Sequence, residues 1–263
     1  MSRSLVADYR DSLRFPEFWV YATWLGVVTK YRRSRLGLFW AVSPAALYTF
    51  GIGGFYGFLQ GISPKVFVAH LGIGYVVFRF ITVSLSEATS TFSSHASFIL
   101  DGRVRLTDYV LRVMAKSAFH FICALPVLIV AAWLNPNAEP WGLLQTIPAF
   151  LLVLVNLGWM AVFLAIIGAR LPDIHELVGS VLMFSFLFTP IIWMASQAPL
   201  GTLRGTIARV NPLFHLVEIV RAPLLGEGVE SGTYIYLALM TLIGWLTAYF
   251  VYRRYARYVP LWV

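Results

Sequence analysis

The chain has 263 residues, of which 59% are hydrophobic and 12% are charged, and its mean hydropathy is +0.75. Soluble domains are typically about 45–50% apolar and about 25% charged, so this composition excludes a water-soluble globular protein. Cys123 is the single cysteine of the sequence, which excludes an intrachain disulfide and a thiolate metal cluster. The formal net charge of +8 requires no nucleic-acid partner, because basic loops beside anionic lipid account for it.

Six apolar stretches are each long enough to cross a bilayer. A hydrocarbon core about 30 Å thick requires about 20 apolar residues in a helix. The stretches that meet this requirement are residues 38–59, 66–85, 109–134, 141–168, 177–196 and 234–252. The predicted fold class is therefore an all-α polytopic membrane protein with six transmembrane helices. The first residues lack a continuous apolar region and a small-residue cleavage site, so we expect no removable signal peptide.

The distribution of cations predicts the orientation of the chain. Fifteen of its twenty Lys and Arg residues lie before the first stretch or, on that same side, in connections, at the ends of stretches and in the tail. Cytoplasmic loops retain Lys and Arg preferentially. Both termini are therefore predicted to be cytoplasmic, with residues 1–37 forming an N-terminal segment and residues 38–263 forming the six-helix transmembrane domain.

Four segments outside the six stretches have a predicted place. Residues 15–30 are rich in aromatic side chains but too short to cross, so we expect an amphipathic helix in the cytoplasmic interface. Residues 86–108 and 169–176 are predicted to be cytoplasmic connections. The outer segment 197–232 is too polar to cross, and we expect one or two short helices that dip into the outer leaflet or cap it.

Arg79 falls inside the second stretch and is the sharpest local clue to a function. A guanidinium within a membrane is costly and usually faces a bundle interior or a watery path. Thr82 and Ser86 continue the same helical face toward the cytoplasm, and Lys116 and His120 share one face of the third stretch. These five residues form a hypothetical path for a polar or anionic substrate. A structural role stays open, with Arg79 bound to backbone carbonyls or to a neighbouring helix, and with Lys116 and His120 reaching to the interface.

The sequence offers no motif for catalysis or energy input. None of the twelve carboxylates lies well inside a stretch, which argues against ion coupling and against a paired-carboxylate hydrolase. The three lysines follow Thr29, Pro64 and Ala115, so the Gly-Lys pair of a Walker A loop is missing. We therefore expect no catalytic residue, metal or cofactor in this chain. If ATP drives it, another polypeptide binds the nucleotide and its Mg²⁺.

Four motifs carry a resemblance to a known family. They are TKYRRSRLGLFWAVSPA at 29–45, GARLPDIHELVGSVLMFSFLFTPIIW at 168–193, NPLFHLVEIVRAPLLG at 211–226 and the tail RRYARYVPLWV. Over essentially its full length the chain resembles the ABC-2 type permeases that export O-antigen, capsule or teichoic acid polymers, and most of all the O-antigen permeases of lipopolysaccharide biosynthesis. The resemblance implies a homodimer in the cell inner membrane, joined to two ATPase subunits, that exports a lipid-pyrophosphate-linked glycan.

The resemblance also implies roles for residues outside the spans. The residues that would contact the ATPase are Glu17, Ser94, His95, Phe98, Asp101, Asp173, His175 and Glu176. Those that would form a periplasmic gate are Asn211, Pro212, His215, Glu218 and Arg221. Two other functions stay open from the sequence alone. One is an ABC-2 exporter of a small molecule such as a drug or haem, and the other is a channel or secondary transporter that works without an ATPase.

Overall fold

The computed structural model describes residues 4–102 and 104–263, and these residues form helices joined by short turns, without a β-strand. The α-helices in chain order are α1 (Leu5–Arg14), α2 (Glu17–Arg32), α3 (Phe39–Ala46), α4 (Gly53–Leu59), α5 (Pro64–Ser90), α6 (Ala96–Leu100), α7 (Leu106–Leu134), α8 (Pro140–Arg170), α9 (Ile174–Phe188), α10 (Leu203–Val210), α11 (Pro212–Leu225), α12 (Ser231–Tyr255) and α13 (Val259–Trp262).

Four helices in the described part of the chain are long and apolar enough to cross a membrane. They are α5, α7, α8 from Trp141 onward, and α12 with its continuation to Trp262. At 1.5 Å per residue, even the 25 residues of α12 extend over about 38 Å, more than the hydrocarbon thickness of about 30 Å. The all-helical, multi-pass architecture is therefore confirmed, with four of the six predicted spans present as single long helices.

The first and fifth predicted stretches do not form single long helices. Helical backbone runs from Phe39 to Leu59, but a π-helical turn at Leu47–Ile52 separates α3 from α4. Helix α9 has only 15 residues, about 22 Å, and ends eight residues before the predicted end of its stretch. The reason is Pro190, because a proline disfavours helical backbone at the residue before it. The prediction of a helix as far as residue 196 was therefore wrong.

Helix α5 forms the centre of the bundle. It packs against α4, α7, α8, α9 and α11, and 18 of its 27 residues are buried. Glycines on its neighbours permit close backbone contact. A Cβ atom on Gly168 of α8 would lie only 1.8 Å from the carbonyl oxygen of Thr89. The helix that carries Arg79 is thus fixed on most sides by packing.

Helix α1 was not predicted, yet it is inserted into one end of the bundle. The Tyr252 hydroxyl near the end of α12 donates to the buried Asp8 carboxylate at 2.5 Å, and the Ser12 and Thr107 hydroxyls lie 2.7 Å apart. These contacts bring the N-terminal helix, the start of α7 and the end of α12 together. Both ends of the described chain therefore lie at the same end of the bundle.

The amphipathic helix of the N-terminal segment is α1 rather than α2. The apolar side chains of α2 are distributed around its circumference, with Tyr21, Trp24 and Leu25 exposed while Val27 is buried. In α1, by contrast, the apolar and polar residues separate onto two faces. The prediction that residues 15–30 form an amphipathic helix was wrong in this respect, because an aromatic-rich composition does not by itself define one apolar face.

The outer segment forms two helices, as expected, but the second does not cap the bundle. Twelve of the 14 residues of α11 are buried, and the helix is held between α5, α8 and α12. Its polar residues Glu218 and Arg221 are therefore interior groups.

Candidate functional site

Two cavities meet at Arg79 on α5. A smaller one of about 170 Å³ lies between α3, α5 and α7, and a larger one of about 450 Å³ lies between α5 and α9. Arg79 and Val83 line both cavities. The half-buried Arg79 guanidinium thus stands at the boundary between them.

The smaller cavity carries an excess of positive charge. Lys30, Arg79, Glu87 and His120 line it. The Glu87 carboxylate is already engaged, because Lys116 Nζ donates to its Oε1 at 2.7 Å. Among the described residues, no carboxylate lies within 4 Å of Lys30 or Arg79. An anion that enters this cavity would meet two cations, while the Glu87 carboxylate at its wall is held by Lys116.

His120 has a fixed hydrogen-bonding state in this cavity. Its Nδ1–H donates to the Lys116 carbonyl at 2.8 Å, so Nε2 accepts from the Tyr31 hydroxyl at 2.9 Å. Lys116 itself lies outside both cavities and is held by Glu87. The structure therefore separates the predicted pair. His120 lines the cavity, whereas Lys116 affects the charge of the cavity only because it pairs with Glu87.

The larger cavity combines a polar stripe with aromatic rings. Arg79, Thr82 and Ser86 line it together, as the helical spacing predicts. Arg79 Nη1 donates to the Tyr75 hydroxyl at 3.0 Å, and the Tyr75 ring stacks on Tyr48 with centroids 4.0 Å apart and planes 4° from parallel. Among the residues that the structure describes, Arg79 is therefore bound to a side chain and to no backbone carbonyl. The wall offers a cation, hydroxyl groups and flat ring faces.

The sequence interpretation missed Tyr48, Tyr75 and Glu87. Tyr75 precedes Arg79 by one helical turn, so the i, i+4 spacing contained a signal for this hydrogen bond. Tyr48 lies in the π-helical turn, and its stacking joins two helices across the bundle. No local pattern predicts such a contact.

The residues expected to contact a cytoplasmic ATPase lie at the end of the bundle that holds both termini. Asp173, His175 and Glu176 are exposed where α9 begins, and the His175 ring bonds to Thr89 Oγ1 at 2.8 Å. The exposed residues of the connection that follows α5 include Ser94, Phe98 and Asp101. The two connections are thus joined at the end of α5.

His95 of this connection is held as a neutral ring. Its Nδ1–H donates to the Thr91 carbonyl at 2.7 Å, and its Nε2 accepts from the Arg112 guanidinium. Burial lowers the pKa of His95, the Thr91 carbonyl opposes that shift, and the Arg112 charge lowers the pKa further. Neutral His95 is therefore the form that fixes Arg112 against this connection.

Glu17 lies at the same end of the bundle as these two connections. The exposed Glu17 carboxylate lines a cavity of about 690 Å³ together with Ile99 of α6 and Gly102 of the α6–α7 connection. We name this cavity the inner groove. It shows that the start of α2 and the end of α6, which are far apart in the sequence, face one space.

The residues of the expected gate mostly make structural contacts with neighbouring helices. Asn211 Oδ1 accepts from the Leu213 N–H at 3.0 Å at the start of α11, where Pro212 occupies the first turn. The His215 ring donates to the Arg209 carbonyl at 2.8 Å and stacks on Tyr236 with centroids 4.0 Å apart. These contacts hold α10, α11 and α12 together on the side opposite to the termini.

Glu218 and Arg221 form a buried ion pair within α11. The Arg221 side chain is 1% exposed, and its guanidinium also donates to the Pro190 carbonyl just beyond α9. His70 of α5 lies 3.3 Å from the same guanidinium. Arg221 thus joins α5, α11 and the end of α9, which makes it an interior group and not a member of an outer loop.

An ion pair at the protein surface fixes the loop between α11 and α12. The Arg209 guanidinium contacts both carboxylate oxygens of Glu230, at 2.5 Å and 2.8 Å. This bidentate contact lowers the pKa of Glu230.

Within the described residues no group of three or more His, Cys, Asp or Glu side chains is arranged to hold a metal ion.

Comparison with known proteins places these features in context. A family model described as "ABC-2 type transporter" matches residues 18–225. The chain is also similar to the capsule polysaccharide export inner-membrane protein CtrC of Neisseria meningitidis serogroup B (strain ATCC BAA-335 / MC58). The identity is 24% over 226 residues, which cover 82% of this chain and 83% of that relative.

Proposed function

Because the chain belongs to the ABC-2 type transporter family, we propose that it is the transmembrane subunit of an ATP-driven exporter of a lipid-linked polysaccharide. It is a multi-pass protein of the inner membrane. The similarity to a relative named for capsule polysaccharide export supports a polysaccharide cargo over a drug or haem. An O-antigen-like glycan is the cargo that we propose, and a separate ATPase supplies the energy.

The observation that carries this proposal is the arrangement around Arg79. A lipid-pyrophosphate-linked glycan presents two chemical groups, an anionic diphosphate and sugar rings with apolar faces. A guanidinium without a carboxylate partner suits the diphosphate, and the stacked Tyr48 and Tyr75 rings suit the sugars. The Arg79 guanidinium and the two tyrosine rings line cavities that meet on α5, the most deeply packed helix of the bundle.

The proposed channel requires a second copy of the chain. Every residue of α9 is at least partly exposed, and the larger cavity lies between α9 and α5. In a homodimer, the partner would close this cavity and cover the apolar side of α9. Met183, which is 79% exposed and lines the cavity, is a suitable test position. A Met183→Cys variant in a Cys123→Ser background should form a disulfide-linked dimer in membranes, and a purely monomeric product would contradict the homodimer.

We further propose that six segments cross the membrane and that both termini are cytoplasmic. The segments other than the four long helices are the interrupted helix from Phe39 to Leu59 and α9 with the turn that follows it. The Asp8–Tyr252 contact supports a common side for the termini. Single cysteines placed at residues 4 and 263 of a Cys123→Ser chain should react with an impermeant thiol reagent only after the cytoplasmic side is opened. Opposite accessibility of the two positions would exclude this orientation.

The cargo assignment is tested at Arg79. An Arg79→Gln substitution keeps a donor for Tyr75 but removes the charge, whereas Arg79→Lys keeps the charge. Because a hydrogen bond to a charged group contributes about 1.5–3 kcal/mol, we expect the Gln variant to reduce surface polymer about tenfold or more. The Lys variant should keep part of the export.

Lys65 provides the matched control for this experiment. Lys65 lies at the N-terminal end of α5, whereas Arg79 lies near the middle of this helix. The Lys65 side chain is exposed and lines neither cavity. Lys65→Gln should leave the surface polymer unchanged, and all three variants should insert into the membrane in equal amounts. Full export by the Arg79→Gln variant would remove Arg79 from the substrate path.

A further inference from the structure

The irregular segment that follows α9 is held by side chains of other helices. We name residues 189–198 the outer strap, because they connect α9 to α10 at the end of the bundle opposite to the termini. Thr189, Pro190 and Ile191 are buried, so this part of the strap is non-helical backbone in the interior of the bundle. Such backbone requires hydrogen-bond donors from the surrounding protein, because lipid supplies none.

Two side chains hold the middle of the strap. The Gln60 amide, just after α4, donates to the Ile192 carbonyl at 3.0 Å, and its oxygen accepts from the Gln197 amide at 3.1 Å. His70 Nε2–H of α5 donates to the Trp193 carbonyl at 3.1 Å. Gln60 and His70 therefore attach the middle of the strap to the ends of α4 and α5.

The two ends of the strap are fixed by arginines. The buried Arg221 guanidinium donates to the Pro190 carbonyl, and Arg209 Nη1 donates to the Ala198 carbonyl at 2.9 Å. Hydrogen bonds from a charged donor are stronger than those from a neutral amide. The strap is therefore held firmly at both ends and more weakly between them.

The middle of the strap can detach without unfolding a helix. In the described chain, no backbone–backbone hydrogen bond joins the strap to a helix other than α9. A cavity of about 290 Å³ lies beside the strap, lined by its own Trp193 and Gln197 and by Arg204 and Ile207 of α10. The strap thus has space to move into while α10 stays in place.

The strap lies at the outer end of the proposed substrate path. Phe186 is the last α9 residue that lines the larger cavity, and its ring contacts the edge of Phe78 on α5 with centroids 5.4 Å apart. The strap begins at Thr189, about one helical turn further out. A glycan that moves outward between α5 and α9 therefore meets this aromatic contact and then the strap.

We propose that the outer strap is a latch that closes the outer end of the substrate path and releases from Gln60 and His70 when the cargo passes. This inference rests on the proposed function, because it presupposes a glycan that leaves on this side. Hydrogen bonds from side chains suit a latch, since water at the outer surface replaces them once the strap opens. The helices α10 and α11 would stay in place during this movement.

The first experiment locks the latch. A Gln60→Cys/Gln197→Cys chain in a Cys123→Ser background carries one thiol on each side of the amide contact. A bifunctional thiosulfonate joins the two thiols, and a reductant releases them. We expect glycan export with the ATPase to fall at least about tenfold when the thiols are joined, and to return on reduction. The two single-cysteine chains react with the same reagent but cannot be tethered, so the reagent should leave their export unchanged.

The second experiment measures the opening of the strap without a glycan. Ile191 is 0% exposed, so Ile191→Cys in the Cys123→Ser background should react slowly with an impermeant thiol reagent added from the outer side. Gln60→Leu removes both bonds of Gln60 to the strap, and we expect it to raise this rate about fivefold or more. Gln145→Leu is the matched control, because Gln145 is an exposed glutamine of α8 outside these contacts, and it should leave the rate unchanged.

The outcomes separate the latch from the proposed function. Full export by the tethered double-cysteine chain would overturn the latch, while the proposed function would still stand. Equal labelling of residue 191 in the Gln60→Leu and Gln145→Leu chains would also overturn it. If the double-cysteine chain does not fold or does not cross-link, the labelling result decides. Failure of the wild-type chain with its ATPase to export the glycan would instead contradict the proposed function, and the labelling rates would still test the latch.

Discussion

Arg221 and Glu218 show how a charged pair can occupy the interior of a membrane protein. Both lie on α11, one helical turn apart, and the guanidinium has a further acceptor in the Pro190 carbonyl. The pair brings the charge of the site to zero, and the Pro190 carbonyl uses a further guanidinium donor. This contact explains why a segment with polar residues is buried between α5, α8 and α12.

Removal of one partner of this pair should be strongly destabilising. Arg221→Met leaves the Glu218 carboxylate buried without its cation, and we expect the free energy of unfolding to fall by about 3 kcal/mol or more. The thermal unfolding midpoint of the purified chain in detergent measures this effect. The double variant Glu218→Gln/Arg221→Met should recover part of the loss.

Arg204 supplies the control for the Arg221 prediction, because it is an exposed cation on α10. Arg204→Met should change the midpoint little. Equal midpoints for Arg204→Met and Arg221→Met would mean that the buried pair does not hold α11 in place.

Residue-level prediction succeeded where the signal was local and failed where it was not. The stripe of Arg79, Thr82 and Ser86 followed from helical spacing alone. The pairing of Lys116 with Glu87 joins residues 29 positions apart, and the Asp8–Tyr252 contact joins residues 244 positions apart. Such contacts depend on how helices pack, which a single sequence does not specify.

At the scale of elements, long apolar runs were the reliable signal. Helices α5, α7, α8 and α12 occupy their predicted stretches because hydropathy dominates in a segment of that length. Helix α9 shows the limit of this signal, since the apolar run continued past Pro190 while the helix did not. Helix α1 escaped prediction because it is only ten residues long and owes its position to contacts with α7 and α12.

The crossing of α5 and α8 provides an element-scale prediction. A Cβ on Gly168 would meet the Thr89 carbonyl oxygen at 1.8 Å, and backbone atoms cannot move aside as a flexible side chain can. Gly168→Ala should therefore separate the two helices and lower the free energy of unfolding by about 1–3 kcal/mol. Because Thr89 also bonds to His175, we expect export to decrease as well.

Gly54→Ala is the matched control, since nothing lies within 4 Å of a Cβ at that position on α4. Alanine is favoured over glycine within a helix by about 0.5–1 kcal/mol, so this variant should be neutral or slightly more stable. A Gly168→Ala chain that unfolds at the temperature of Gly54→Ala would contradict the close crossing.

At the scale of the whole molecule, the two ends of the bundle have different characters. One end holds both termini, the inner groove and the exposed connections before α7 and α9. The other end holds α10, the loop before α12 and the Arg209–Glu230 pair. Between them, α5 carries Arg79 and the two cavities. This arrangement suits a conduit whose motor acts from one side.

The family and the membrane location of the chain could be anticipated from the sequence, since the apolar stretches and the four motifs extend over most of its length. The division of the first stretch by a π-helical turn could not, because that turn forms where Thr49 packs against Gly72 of α5. The inner groove likewise arises only when three distant segments meet.

We propose that the chain is a passive conduit that moves its cargo only when a separate ATPase acts on it. The most direct test is to reconstitute the purified chain into liposomes with a lipid-linked glycan, with and without the co-purified ATPase, and to measure glycan transferred across the bilayer. We expect transfer against a gradient only when the ATPase and ATP are both present. Uphill transfer by the chain alone would contradict it.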